Sequence, residues 1–426
     1  MKRVFLQLPL YAWLGLICVI AFSWLVRIHR LDVPGEYVFD ERYHVPAVQL
    51  IADDDPRAFE WWRQPEVGAS RHDWLHPPLA KYIQAWFFTA FGQGPAAWRL
   101  ASAVFGVVGI GLTFLVTQLA FRQPAVSLLA AFLLSLDGLW LVQSRVAMND
   151  VFVAVWLLAA LAAYLWYRQL ARLRLLLLVG LLLGAALATK WSAGFIIIGL
   201  LIWELLALYR QRKLKVVPWA VFALLIVPVG VYLASWLPLL QQGKDFGYLI
   251  ELHRQIIGYQ LYANISHAYQ SSPWQWLLNW RPVWYWTGGE GQNVYALNNP
   301  LLAWFELGAA LLSVGWLFWR KKIKRHQSSL AFLLTMFVVS FVPWISSPRI
   351  SFYYHFAPAV PLAAMLLAYW LHEIYFKSPR AFNRLLLFFT LAMLVWVFWL
   401  YYPHWTGLAV SSAFAEAIYF PFANWR

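Results

Sequence analysis

Eleven apolar stretches, most of them long enough to cross a bilayer, constrain this chain more than any motif in it. A helix crossing a hydrocarbon core of ~30 Å needs about 20 apolar residues. Such runs lie near 4–26, 97–120, 124–143, 150–167, 175–189, 192–209, 216–236, 301–319, 329–346, 352–376 and 385–402, the third and fifth being short. The chain is 62% hydrophobic and only 12% charged, more apolar surface than a soluble domain of 426 residues can bury, so its solvent is lipid. Many Trp and Tyr sit at the ends of the runs, where an interfacial belt puts them. The expected fold is all-α and integral to the membrane, with about 11 transmembrane helices in a single polytopic domain over residues 1–426. No internal repeat or low-complexity linker divides it.

Charge orients the spans. With the N-terminus in the cytoplasm, the cytoplasmic connections carry Arg122, then Arg168/Arg172/Arg174, then Arg210/Arg212/Lys213/Lys215. Arg320/Lys321/Lys322/Lys324/Arg325 and Lys377/Arg380/Arg384 follow. These connections are short and free of acids, as the positive-inside rule requires. Lys2 and Arg3 before the first run resemble a signal peptide, but the run is long and lacks a clear cleavage site, so it reads as a retained anchor. Nearly all acids fall on the opposite face, together with two long loops, 27–96 and 237–300. The net charge of +14 is therefore mostly topological and implies no nucleic-acid partner. The lone Cys18 excludes an intramolecular disulfide and any cysteine-based metal cluster.

The residues able to do chemistry gather on the outer face. Asp40-Glu41 follows the first span; one carboxylate can serve as a base while the other orients or binds, or the pair can simply begin a helix as cap and first-turn acid. His76-Pro77-Pro78 is a rigid turn before a helix that starts near Pro77 and includes Lys81; its apolar run, 82–91, is too short to span and suits the interface. Arg99 opens the second span, Arg145 and Asp150 bracket the turn between the third and fourth, Lys190 follows the fifth, and Arg349 and His355 flank the tenth. Each cation alone can snorkel, and Arg145 can pair with Asp150; several converging at one leaflet suit a lipid phosphate. Asp53-Asp54-Asp55 reads as a solvated turn, and Asn264-Ile265-Ser266 is formally a glycosylation sequon. A Walker loop and a dinucleotide fingerprint are absent. Asp137 and Glu306 are the acids placed well inside spans; without symmetry-related broken helices, they give transport little support.

In order and spacing these residues resemble the protein O-mannosyltransferase family of the C-type glycosyltransferase fold, over most of the chain. Phe39-Asp40-Glu41 is similar to the family's Asp-Glu motif, His76-Pro77-Pro78-Leu79-Ala80-Lys81 to its His-Pro-Pro-x-x-Lys element, and Arg99-Leu100-Ala101 to the Arg opening the second span. Gln143-Ser144-Arg145 to Asp150, Lys190-Trp191, Ser272-Pro273-Trp274, Arg281 to Tyr285, Asn298-Asn299-Pro300 and Tyr353-Tyr354-His355-Phe356 resemble further segments. The second loop is too short for the MIR domain of eukaryotic members.

The resemblance implies transfer of mannose or a related hexose from a polyprenyl-phosphate donor to Ser/Thr hydroxyls of secreted or membrane proteins. The anomeric centre inverts and no metal or other cofactor takes part. Asp40 would be the base and Glu41 would position acceptor or sugar. Arg99, Arg145 and Lys190 would bind the donor phosphate. His76, Lys81, Asp150 and His355 would position the acceptor or loops. The alternative is a lipid-phosphosugar transferase of the same fold acting on lipid A or a wall glycan. The expected location is a bacterial plasma membrane, with the site facing the periplasm or exterior.

Overall fold

The computed structural model describes residues 8–62, 72–263, 265–289, 291–319, 325–376 and 380–426. Among them, eight helices are long and apolar enough to cross a membrane: Leu10–Ile28, Pro95–Phe121, Asp150–Leu170, Ala193–Arg210, Leu214–Gln241, Pro300–Trp319, His326–Ser346 and Ala381–Thr406. Three shorter apolar helices, Pro124–Ser135, Arg174–Leu187 and Val360–Tyr375, fall on the remaining expected spans. Proline sets several of the starts, at Pro95, Pro124 and Pro300, where its missing N–H costs nothing. Left-handed residues end three of the long helices, Arg122 (φ 55°), Ala171 (φ 54°) and Gly407 (φ 71°). Asn264 and the basic residues Arg320, Lys321, Lys322, Lys324 and Lys377 lie outside the described residues.

Two expected spans differ in shape. The run 124–143 is not one helix: Asp137 turns the chain and its carboxylate accepts the Trp140 N–H at 2.6 Å, capping a second helix, Gly138–Gln143. Glycine at 138 lets Trp405 pack against the start of that second helix, since a Cβ there would fall 2.2 Å from its ring. The run 352–376 begins instead with a 3-10 turn, Tyr353–Phe356, and becomes helical only at Val360.

The outer-face loops fold into a layer of short elements. Helices Glu41–Ala52, Leu79–Phe91 and Phe246–Tyr262 and a two-stranded antiparallel hairpin, β1 (Val283–Gly289) and β2 (Gln292–Ala296), make up most of it. The Leu79–Phe91 helix turns Ala80, Lys81, Gln84 and Phe88 inward and leaves Trp86 and Phe91 exposed, the amphipathic habit of an interfacial helix.

Candidate active site

Asp40 is held in place by the residue before it. Phe39 adopts a left-handed φ of 50°, unfavourable for an aromatic residue. Two contacts from β1 compensate: the Phe39 ring stacks on Tyr285 at 4.4 Å, and its N–H donates to the Tyr285 carbonyl at 3.2 Å. Tyr285 is anchored in turn by the Gln143 amide, which donates to its hydroxyl at 2.7 Å. The second outer loop thus clamps the first.

Asp40 precedes the Glu41–Ala52 helix, yet its carboxylate makes no capping hydrogen bond. It opens instead into a cavity of about 260 Å³, shared with His44, His76, Asp150, Lys190, Arg349, Tyr354 and His355. Burial raises the Asp40 pKa above the ordinary carboxylate value; the Asp73 and Asp150 carboxylates add to the rise, and His44 and Lys190 only partly offset it. A carboxylate so tuned is a better base near neutral pH than an exposed one.

Cations and imidazoles line the rest. Lys190 donates to Asp150 at 2.7 Å and lies 5.5 Å from the centre of the Tyr354 ring. Arg349 donates to the Gln260 side-chain Oε1 at 3.1 Å and stacks over Tyr259, while its buried Nε has no hydrogen-bond partner among the described residues. His355 lies flat on Trp344 at 4.1 Å, and its Nδ1 accepts the Phe352 N–H at 3.1 Å. Burial, reinforced by Lys190, Arg349 and His76, holds its pKa well below the usual imidazole value. The neutral ring then carries its proton on Nε2 and acts as a donor.

His76 has the opposite polarity. Its Nδ1 donates to Asp73 at 2.9 Å, leaving Nε2 as an acceptor, and burial lowers its pKa to about 4 despite that carboxylate. Asp73 also lies 3.0 Å from His44 Nδ1 and 3.1 Å from Lys81 Nζ. Burial alone would raise its pKa, but His76, Lys81 and His44 outweigh it and hold the carboxyl well below its usual value. Lys81 further donates to the Asp73 and His76 carbonyls at 2.6 and 2.9 Å. One buried carboxylate therefore orients two imidazoles and locks the His-Pro-Pro turn to its helix.

His44, Asp73 and His76 offer ligand atoms within 4.8 Å of one another, a spacing that could accommodate a metal ion. The Lys81 ammonium already occupies one side of Asp73, so a cation there would compete with it.

The structure brings together Asp40, His76, Asp150, Lys190 and His355 of the expected site residues and puts Lys81 directly behind them. Three expectations need correction. Glu41 is fully buried away from the cavity: Arg99 donates to its two oxygens at 2.9 and 2.7 Å, and the Val38 and Ala147 N–H groups each donate at 2.9 Å. Arg99 spends its remaining hydrogen bonds on the Leu31, Pro34 and Glu36 carbonyls, leaving no N–H for a phosphate. Arg145 donates to the Val26, His29 and Arg30 carbonyls, closing the exposed C-terminus of the first span, and Asp150 pairs with Lys190 rather than with it. Sequence reasoning missed His44 and Asp73, although each sits at helical or turn spacing from a chosen residue (Asp40 and His76), and it named Arg349 on the outer face without giving it a role.

The arrangement is a buried carboxylate facing cations across one cavity of a helical bundle, and the architecture around it is that of C-type glycosyltransferases. The chain superposes on the Saccharomyces cerevisiae protein O-mannosyltransferase Pmt1–Pmt2 complex with a TM-score of 0.83 at 14% identity, covering 97% of this chain and 92% of that one. ArnT from Cupriavidus metallidurans bound to undecaprenyl phosphate matches with a TM-score of 0.61 at 16% identity, over 92% and 70%. The family model for dolichyl-phosphate-mannose-protein mannosyltransferase matches residues 70–238, and that for the C-terminal four-span region of protein O-mannosyltransferase matches 245–419. Polyprenol-phosphate-mannose–protein mannosyltransferases of Mycolicibacterium smegmatis and Corynebacterium glutamicum are each 25% identical, over 94% and 99% of this chain and 90% and 94% of their own. The chain belongs to the protein O-mannosyltransferase family and is a multi-pass membrane glycosyltransferase. Asp40 and Glu41 lie upstream of the matched stretches.

Proposed function

We propose that the protein transfers mannose from a polyprenyl-phosphate carrier to Ser or Thr hydroxyls of exported proteins, inverting the anomeric centre. The observation that carries this reading is the uncapped Asp40 carboxylate, its pKa raised, facing Lys190 and Arg349 across one cavity. A sugar phosphate already has a good leaving group, so the protein needs a base for the hydroxyl and cations for the departing phosphate. Asp40 takes the hydroxyl proton as the oxygen attacks the anomeric carbon. Lys190 and Arg349 hold the phosphate, with Arg349 contributing its unpartnered Nε. His355 donates and His76 accepts hydrogen bonds to the sugar or acceptor, so the two imidazoles read hydroxyls of opposite orientation. Asp150 and Asp73 hold Lys190 and His76 in position. No metal is required, because Lys81 already neutralises Asp73. The prenyl chain lies between spans, and the site faces the periplasm or exterior of a bacterial inner membrane.

The test offers membranes containing the protein radiolabelled mannosyl-phosphoryl-polyprenol with a Ser/Thr-rich peptide and, in parallel, lipid A and wall glycan. Label in the peptide supports the reading. Label only in the glycolipid or glycan would keep the chemistry and overturn the acceptor.

A further inference from the structure

A second polar cavity, about 380 Å³, lies at the other end of the bundle. It opens between the last turns of helices Pro95–Phe121 and Asp150–Leu170 and the first turn of Arg325–Phe341. The first turns of the former two carry Arg99 and Asp150 at the outer face, and a helix of 27 residues spans about 40 Å. The two cavities are thus a membrane thickness apart.

The polar half of the wall is Arg122, Arg168, Gln169, Ser328 and Ser329. Each cation is fixed differently. Arg168 donates through Nη1 to Glu204 at 2.8 Å; the buried Glu204 also accepts from the Tyr164 and Tyr167 hydroxyls, at 2.7 and 2.9 Å. Nη1 also reaches the Tyr164 hydroxyl at 3.5 Å, so a fully satisfied carboxylate and its tyrosine hold this guanidinium at the cavity edge, with Nε and Nη2 uncommitted among the described residues. Arg122 is exposed, and no carboxylate among the described residues pairs with it. Gln169 and Ser329 tie the helix ends together by donating to the Leu119 and Ala120 carbonyls at 2.8 and 2.6 Å. The other half of the wall is apolar, with Leu165, Trp203 and Phe332 facing the hydrocarbon level.

Two arginines and a serine hydroxyl above an apolar wall, at the face carrying the positive-inside charges, match a phosphodiester head with attached acyl chains. A free phosphate would leave the apolar half unused. We propose that this cavity binds the head group of an anionic glycerophospholipid from the cytoplasmic leaflet.

The test is native mass spectrometry of the full-length protein, titrated with phosphatidylglycerol or with phosphatidylcholine of the same chains. Arg122→Asn removes the charge while tolerating the left-handed backbone at that position; Arg122→Lys keeps the charge. The expected result is one phosphatidylglycerol site on wild type, weakened about tenfold by Arg122→Asn as for loss of a charge-assisted hydrogen bond, and retained in Arg122→Lys. Equal binding of phosphatidylcholine would overturn the proposal, as would phosphatidylglycerol binding indifferent to Arg122→Asn. Displacement of the lipid by millimolar inorganic phosphate would make it a free-anion site, and preference for undecaprenyl phosphate a carrier site; both overturn it.

Discussion

Replacing Arg99 with Met should unfold the loop that carries Asp40 before it affects donor binding. The Glu41 carboxylate, fully buried, would keep only the Val38 and Ala147 N–H groups as donors. Removing one member of a buried ion pair typically costs 3–5 kcal/mol, because the other charge stays desolvated. The Leu31, Pro34 and Glu36 carbonyls also lose their donor, about 1 kcal/mol or more each where water cannot reach them. Against a total stability of about 5–15 kcal/mol, that is a large share. The double variant Glu41→Gln/Arg99→Met should recover part of the loss, since the amide is neutral; a coupling of about 0.5–3 kcal/mol is the usual range for contacting residues. Thermal unfolding in detergent, followed by loss of the monodisperse peak, reads the stability, and steady-state transfer reads kcat and KM for the donor. The expected outcome is a lowered midpoint with an unchanged KM in whatever fraction remains folded. A wild-type midpoint with a raised donor KM would make Arg99 a phosphate ligand and refute the reasoning.

Three further outcomes follow from the same geometry. Transfer should fall as pH drops through the raised Asp40 pKa, at a higher pH than an ordinary carboxylate would impose; a pH–rate profile flat to pH 4 would contradict this. His76 titrates near 6.5 unfolded and at about 4 folded, so between those values only the unfolded chain binds the proton and stability falls as pH falls; His76→Gln should flatten that slope in midpoints measured across the window. Tyr285→Ala removes the ring that holds Phe39 in its left-handed conformation; kcat should drop about tenfold or more with donor affinity retained, and an unchanged kcat would detach the hairpin from catalysis.

The membrane-spanning part of this fold was legible because lipid imposes a length on every span, and a run of the required composition has few other uses. The break at Asp137 was not, since a 20-residue apolar run looks the same whether or not a cap divides it; the signal was the acid itself followed by Gly138. In the site, Asp40 and the His76 turn were readable as chemistry placed at the interface. The arginines were misassigned for a physical reason: an outer-face guanidinium can hold a phosphate or close a helix end, and its partners settle which. Those of Arg99 lie 58 to 68 positions away and those of Arg145 lie 115 to 119 away, beyond any local pattern. Asp73, three residues before His76, belongs to no motif in the sequence; its role depends on Lys81 and His44 arriving from two different helices.

The central claim is that Asp40 removes the acceptor proton. Single-turnover transfer by Asp40→Asn, with binding of mannosyl-phosphoryl-polyprenol measured on the same preparation, tests it most directly. The account predicts wild-type donor binding and thermal midpoint with transfer reduced at least ~10²-fold, the usual worth of a general base. Transfer within a few-fold of wild type, with the fold intact, would contradict it and move the base to another group in the cavity, His76 first.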